Sequence, residues 1–289
     1  MPSVAFATYH QEPGISTDDA LAADVLKRAG VTVTPAVWDD PVVDWSAFDA
    51  VVIRSTWDYH LKAEQFERWL RRLAASATSL WNPPGPVLWN TNKRYLLDLA
   101  GRGVNAVPTE YLTAGDRPDL KALLERRGWD EAVIKPAVAV GSHGAWRTSR
   151  ATVEADQLRF GGQLGARDLL VQPFLPEVTS RGEWSLVFLG GEYSHAALKR
   201  PAEGDFRVQE HLGGSSAPAE ADQALIEQAQ LALAAIGQPL LYARVDGVER
   251  GGQLILTELE MIEPSLFLGL APGVGQRFAE SIVRLLRGP

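Results

Sequence analysis

A chain of 289 residues, 46% hydrophobic and 22% charged, has the balance of a folded globular protein, and its length suits two or three closely packed α/β lobes. A formal net charge of −8 and a pI near 5.2 exclude the broad basic footprint of a nucleic-acid binder, which clusters Lys and Arg against phosphates. The absence of cysteine excludes disulfides, thiolate metal sites and a cysteine nucleophile; with no leader-like start and no bilayer-length apolar run, the expectation is a cytoplasmic protein without membrane partners.

In chain order, VAFATY is strand-like, Ser16 to Ala29 carries helical apolar spacing, and VTVTPAVW after Gly30 is again strand-like, so the start reads as βαβ. Ser16 and Asp19 form a capping-box pattern, and Gly30 suits the position just past a helix. A third strand, DAVVIRS, ends at Ser55 and runs into TWDYH, after which Leu61 to Ala75 reads as an amphipathic helix. The result is a small parallel sheet of the α/β class, with ligand-facing loops at the carboxyl ends of its strands. WNPPGPVLWN, with its prolines and Gly85, reads as free of regular structure and closes a first lobe at residues 1–88.

A second lobe, residues 89–175, starts with a helix from near Asn92 through Leu99, then a strand TEYL and a helix from Asp119 to Arg127. AVIKP and AWRTS form a hairpin across the glycine-bearing turn AVGSHG. In the third lobe, residues 176–289, EWSLVFL and EYSHAALK flank Gly190 and Gly191 as a hairpin, and a polar loop runs to Ser216. A helix from Pro218 to Ile236, strands LLYARVDGV and QLILTELEMIE, and a helix from Val274 to Leu286 complete the chain.

No GxxxxGK[ST] loop, GxGxxG fingerprint, GxSxG elbow or HExxH helix is present, which removes support for the common NTPase, dinucleotide, hydrolase and zincin chemistries. The five histidines lack metal-ligand spacing and read as surface or hydrogen-bonding residues. Asp246 ends one strand in this reading, while Glu258 and Glu260, two apart, share a face of the next. Two acids within the apolar LILTELEMI are costly unless a cation or basic group neutralises them, and hard oxygen ligands suit Mg²⁺; the alternative is a solvent-facing strand edge. Lys135 stands directly before a turn whose amides are able to hold phosphate oxygens, although glycine hairpins without any ligand are equally common.

Taken in order, NTNKRYLLDLAGRGVNAVPTEYL, VIKPAVAVGSHGAWR, LLVQPFLPE, GEWSLVFLGGEYSHAALKRPAEGDFRVQEHLGG, YARVDGV and LTELEMIEPS resemble the ATP-grasp domain of bacterial glutathione synthetase and its relatives. The resemblance spans residues 89–289, with a matching α/β lobe before it, and RSTWDYH resembles the branch that includes the O-ureido-serine cyclo-ligase of cycloserine biosynthesis. It implies an ATP-grasp fold behind a Rossmann-like N-terminal domain, and an ADP-forming, Mg²⁺-dependent ligase that joins a carboxylate to a nitrogen through an acyl phosphate.

By the same resemblance, Lys93 and Lys135 contact ATP phosphates, Gly141 and Gly144 belong to a phosphate-covering loop, Gln172, Phe174 and Leu175 meet adenine, and Glu183 meets ribose. Arg200 and Arg207 lie in a mobile loop as catalytic residues beside Lys135, their guanidinium forks suited to planar oxyanions. Asp246, Glu258 and Glu260 match a metal triad for two Mg²⁺ ions, Glu260 standing where many relatives carry Asn. Substrate choice falls to Tyr9, Arg54, Ser55, Thr56, Trp57, Asp58 and Tyr59 in the first lobe, with Arg54 suited to a carboxylate and Asp58 to an ammonium group, unless Trp57 and Tyr59 only pack the lobe interface. The expected partners are ATP, an amino-acid-like carboxylate and an amine, and a homo-oligomer is compatible with the chain. A phosphotransferase and an ATP-binding module without turnover stay open as alternatives.

Overall fold

Burial on both faces of the first strand sets the layering of the N-terminal part. In the computed structural model, which describes residues 1–287, β1 (Ser3–Thr8) is followed by α1 (Thr17–Arg28), β2 (Thr32–Val37), β3 (Ala50–Ile53), α2 (Ala63–Ala74) and β4 (Ser79–Trp81). The strands pair in parallel in the order β2-β1-β3-β4. Val4 and Phe6 join Ala22 and Leu26 of α1 in one core, while Ala5 and Ala7 join Phe66, Trp69 and Leu70 of α2 in another. The Ser16 hydroxyl accepts from the Asp19 N–H at 3.1 Å and caps α1, and Gly30 past its end has φ +80°.

The proline-rich segment departs from expectation, because α3 (Pro84–Asn90) lies within it and residue 88 falls inside that helix. Pro84 stands in the first turn, where a missing N–H costs no helical bond and the fixed φ suits the helix. After α4 (Tyr95–Gly101) come β5 (Glu110–Leu112), α5 (Leu120–Arg127), β6 (Glu131–Pro136), β7 (Trp146–Ser149), α6 (Val153–Leu164), β8 (Leu169–Pro173) and the short α7 (Glu177–Ser180). The second sheet has the antiparallel order β5-β8-β6-β7 and a core of its own, in which Leu120 and Leu124 of α5 meet Phe160 and Leu164 of α6.

The third sheet is antiparallel in the order β11-β10-β9-β12-β13, from β9 (Glu183–Leu189), β10 (Glu192–Arg200), β11 (Ser215–Ala219), β12 (Tyr242–Arg250) and β13 (Gln253–Glu260). Two expectations are corrected here. Pro218 belongs to β11, an edge strand that tolerates its missing N–H, so α8 (Gln223–Ala234) starts five residues later than Pro218. Asp246 lies inside β12 rather than at its end. Gly247 carries the strand through a bulge where an added Cβ would sit 2.6 Å from the Ile255 carbonyl, so this glycine serves close backbone approach and not a turn.

The closing helix, α9 (Val274–Arg287), returns to α1: Phe278 and Ile282 share a core with Phe6, Leu26, Val187 and Tyr242. Asn82, fully buried after β4, ties the first sheet to the third. Its Nδ2 donates to the Tyr242 carbonyl at 2.8 Å and the Met261 carbonyl at 2.7 Å, and its Oδ1 accepts from the Leu241 N–H at 2.7 Å and the Tyr242 N–H at 3.3 Å. Among the described residues no helix is long and apolar enough to cross a membrane. Replacing Asn82 with Ala strands four buried backbone groups, so we expect a loss of about 3 kcal/mol in urea denaturation with the slope unchanged. A loss below about 1 kcal/mol would show that the side chain is not the tie described.

Candidate active site

The second and third sheets, with Trp57 and Tyr59 from the segment after β3, enclose a cavity of ≈990 Å³ whose walls carry Lys93, Lys135 of β6, Glu183 of β9, Lys199 of β10, Arg244 and Asp246 of β12, and Glu258 and Glu260 of β13. Strand register explains the clustering of charge. Asp246 stands opposite Glu258 and Arg244 opposite Glu260 across the β12–β13 ladder, so these four groups occupy neighbouring positions. Lys93 Nζ donates to the Ala139 carbonyl at 2.7 Å and lies 2.8 Å from Glu258 Oε1. Lys199 Nζ lies 2.8 Å from Asp246 Oδ2 and 2.9 Å from Glu183 Oε2. Arg244 donates to both oxygens of Asp246 and also to Glu260, while the Ser185 hydroxyl donates to Asp246 Oδ1 at 2.7 Å.

Burial sharpens these interactions. For Asp246 burial alone would raise the pKa, but Arg244 and Lys199 overcome it and hold the carboxyl well below its usual range. Glu258 is likewise lowered, because Lys93 and Lys135 outweigh its burial. Glu260 behaves oppositely: burial, with repulsion from Glu258 and Asp246, exceeds the pull of Arg244 and raises it to about 7. Beyond the strand, burial and then Glu260 push Glu263 up to about 8. The Lys135 ammonium is lowered by burial and by Lys93 against the pull of Glu258, and it has neither a salt bridge nor a hydrogen bond among the described residues.

The donor chemistry fits Mg²⁺ at two of the three expected ligands. Glu258 and Glu260 keep about a quarter of their side-chain surface toward the cavity, at 28% and 27%, and the raised Glu260 marks an excess of negative charge that a cation relieves. Asp246 is 3% exposed, and both its oxygens are occupied by Arg244, Lys199 and Ser185. Among the described residues no group of three or more His, Cys, Asp or Glu side chains is gathered as a metal cluster.

The other expected residues divide. Gly141 and Gly144 line the cavity at φ +59° and +75°, and an added Cβ at Gly144 would lie 3.0 Å from Pro136. Gln172, Phe174 and Leu175 line it too; Gln172 Nε2 donates to the Thr109 hydroxyl at 2.9 Å, and Arg147 lies over the Phe174 ring at 3.8 Å. Arg207 reaches the wall but pairs with Asp205 of its own loop at 2.7 Å. Arg200 is exposed and absent from the wall; Lys199 takes the inward place, since neighbouring residues of a strand face opposite ways.

From the first lobe only Trp57 and Tyr59 of the expected set line the cavity. Arg54 is buried against Asp19 at 2.7 Å and the Pro264 carbonyl at 3.0 Å, Asp58 is taken by Trp38 and Lys62, and Tyr9 packs edge-on to Trp57. Ser55 and Thr56 are buried, with hydroxyls that lack partners among the described residues. Arg54 and Asp58 therefore do not present their charges to a substrate, because the strand end turns them inward. Sequence reasoning missed Lys199, Arg244, Asp18, Glu263 and the histidines His60, His143 and His211, all on the wall. Only Arg244 left a signal, standing two residues before Asp246 and so on the same strand face.

The raised carboxyls carry a pH signature. In the unfolded chain both release their protons near 4.5, whereas in the fold Glu260 and Glu263 hold them to about 7 and about 8. Between pH 6.5 and 8.5 the folded state therefore holds more protons, and the stability of the ligand-free protein should fall as pH rises, on the order of 2 kcal/mol in urea denaturation. His195, held near 4 by burial, is already neutral throughout that window. Glu263→Gln should remove most of the slope, and a flat wild-type profile would contradict the burial described.

A family profile described as the N-terminal domain of D-cycloserine synthetase DcsG matches residues 4–82. The cycloserine biosynthesis protein DcsG of Streptomyces lavendulae is 31% identical over 280 residues, covering 91% of this chain and 92% of that one. The crystal structure of D-cycloserine synthetase DcsG superposes with a TM-score of 0.88 at 30% identity, over 98% of this chain and 99% of the other. A Bacillus anthracis D-alanine–D-alanine ligase complexed with ATP shares the fold, with a TM-score of 0.68 at 12% identity over 99% of both chains. The chain thus belongs to the ATP-grasp family of ATP-dependent ligases, in its D-cycloserine synthetase branch.

Proposed function

We propose that this ligase uses ATP and Mg²⁺ to phosphorylate the carboxylate of an amino-acid-like substrate, and then passes the acyl group to a nitrogen of the same molecule, closing a ring. The observation that carries this reading is the Lys135 ammonium, half-buried and without a salt bridge or hydrogen bond among the described residues, on the wall that also bears Glu258 and Glu260. Such an ammonium is stabilised by an anion from outside, and phosphate supplies one. Similarity to DcsG over nine-tenths of the chain supports ring closure.

In this reading Lys93 and Lys135 hold the β- and γ-phosphates, and the loop of Gly141 and Gly144 closes over them. Gln172, Phe174 and Leu175 frame the adenine, and Glu183 meets the ribose. Glu258 and Glu260 would hold two Mg²⁺ ions, while Asp246 keeps Arg244 and Lys199 in place behind them. When bound, the metal supplies neutralisation of phosphate oxygens. The substrate carboxylate attacks the γ-phosphorus, ADP leaves, and the acyl phosphate is then displaced by nitrogen with loss of phosphate and of the nitrogen's proton. Arg244 and Lys199 stabilise the oxyanions of both steps, a role in which Arg200 has no part; Arg207 closes with its loop.

ADP release across amino acids and O-substituted serines, with mass spectrometry of the products, tests the proposal. ADP formed together with a new C–N bond is expected, whereas ADP formed with a phosphorylated product and no such bond would assign a phosphotransferase instead. Lys135→Met and Glu258→Gln should fold normally and lose roughly 10²-fold or more in turnover. Arg200→Gln should keep most of its turnover, and a loss matching that of Lys135→Met would reverse the assignment of the two strand faces.

A further inference from the structure

A second cavity, of ≈390 Å³, opens on the N-terminal lobe and, among the described residues, shares no wall with the ligase cavity. It lies where β2 ends: Trp38, Asp39, Asp40 and Trp45 come from the segment after that strand, and Trp69 and Arg72 from one side of α2. The space outside the carboxyl end of a strand is where open α/β sheets take ligands.

Two polar atoms of this wall lack partners. Trp69 is 1% exposed, and its indole N–H donates to nothing among the described residues. Asp39, with a side chain 7% exposed, gives one carboxylate oxygen to the Lys62 ammonium at 2.7 Å and keeps the other, Oδ1, buried without a hydrogen bond. The exposed His10 ring stands off from that oxygen at 3.5 Å. An orphan donor and an orphan acceptor are each costly when buried. They are also complementary, since one ligand with a donor and an acceptor satisfies both.

Charge decides what the donor is. Lys62 divides itself between Asp39 and Asp58, at 2.7 Å from each. Counting the carboxylates of Asp39, Asp40 and Asp58 against Lys62 and Arg72 sets three negative charges against two positive, and with His10 neutral one negative charge is left. The indoles favour a cation as well. Trp38 is inclined to Trp69 at 61° and Trp45 to Trp69 at 67°, so the rings form the sides of a box instead of a stack, and such boxes attract organic cations through the ring quadrupole. A bare metal ion would leave the Trp69 N–H unsatisfied, because it carries no acceptor.

We propose that this cavity binds a small primary amine bearing one uncharged oxygen acceptor, a short amino alcohol, whose ammonium donates to Asp39 Oδ1 within the indole box while its hydroxyl accepts from the Trp69 N–H. A cavity of this volume lies within the range of small-molecule sites. It stands apart from the ligase chemistry, and its occupancy is read without turnover.

The test follows the indole N–H resonances of the whole chain, labelled at tryptophan nitrogen, during titration near neutral pH with 2-aminoethanol, 3-aminopropan-1-ol and 4-aminobutan-1-ol; Trp69 is assigned through Trp69→Phe. At least one amino alcohol should shift the Trp69 and Trp45 signals saturably and leave that of Trp57, on the ligase cavity, in place. Butane-1,4-diol, which lacks the charge, butylamine, which lacks the acceptor, and 4-aminobutanoate, whose carboxylate cancels the charge, should each bind at least tenfold more weakly. Asp39→Asn and, read at Trp45, Trp69→Phe should each weaken the amino alcohol at least tenfold with the affinity for ADP unchanged. No saturable shift with any amino alcohol, a control that binds as tightly as the amino alcohols, or a Trp69→Phe variant that binds like the wild type would overturn the proposal.

Discussion

Everything at the centre of this molecule depends on keeping nine ionisable groups around one cavity, most of them largely removed from solvent. Glu183, Asp246, Glu258, Glu260 and Glu263 face Lys93, Lys135, Lys199 and Arg244, and removing such charges from solvent is tolerable only if each finds a partner or changes its protonation. The third sheet meets the condition by register. Placing Arg244 and Asp246 on one face of β12, opposite Glu260 and Glu258 of β13, gathers three acids around one arginine, and Lys93 and Lys199 reach in from neighbouring elements to offset the excess. The imbalance that is left over, protons held on Glu260 and Glu263 and an ammonium without a mate on Lys135, is chemically informative. A site fully balanced in itself would have no use for a polyanion and a divalent cation. This one is built to be completed by them.

Glu260 shows how a single residue choice alters that balance. An amide at this position would offer one oxygen and no charge; the glutamate adds a negative group beside Glu258, and burial makes it hold a proton to about 7. Arg244 contacts it directly and so divides its attention between Asp246 and Glu260. The arginine is thereby oriented by two carboxylates at once, which limits its rotamers and fixes where its remaining donors point.

Much of this was legible in the linear sequence because the relevant signals are local. The capping serine of α1, the glycine hairpins and the period-two acids of β13 each depend on a few neighbouring residues. Order along the chain then supplied what spacing alone did not, since Lys135 and the acids become a site only when read together. What stayed hidden depends on contacts distant in sequence. Pro84 reads as a breaker until its place in a first turn is known, and Asp246 reads as a strand end until the close approach of Ile255 to Gly247 is seen. The inward turn of Arg54 is set by Asp19 and by the carbonyl of Pro264, 210 residues away, so no window of sequence contains it. Choosing Arg200 over Lys199 was an error of one residue, which along a strand is an error of a whole face.

The segment after β13 deserves a mechanical reading. Five successive carbonyls, from Ile262 to Leu266, are held by side chains: the Tyr242 hydroxyl at 2.7 Å, then Trp57, Arg54, Arg244 and His195, the last through Nε2 at 2.9 Å. Two of these anchors come from the N-terminal sheet and three from the C-terminal one, whose strands and helices also share the core of Phe6, Tyr242 and Phe278. Separating those parts would break all of it together, so they move as a single frame. The sheet β5-β8-β6-β7 has a core of its own around Leu120, Phe160 and Leu164 and shares a second one with the third sheet, through Leu170 and Ala137 against Leu186 and Phe188. It carries Lys135 and the glycine loop, whereas Glu258 and Glu260 of the opposite wall stand on the third sheet, so the cations and the acids that face each other across the cavity are held by different sheets.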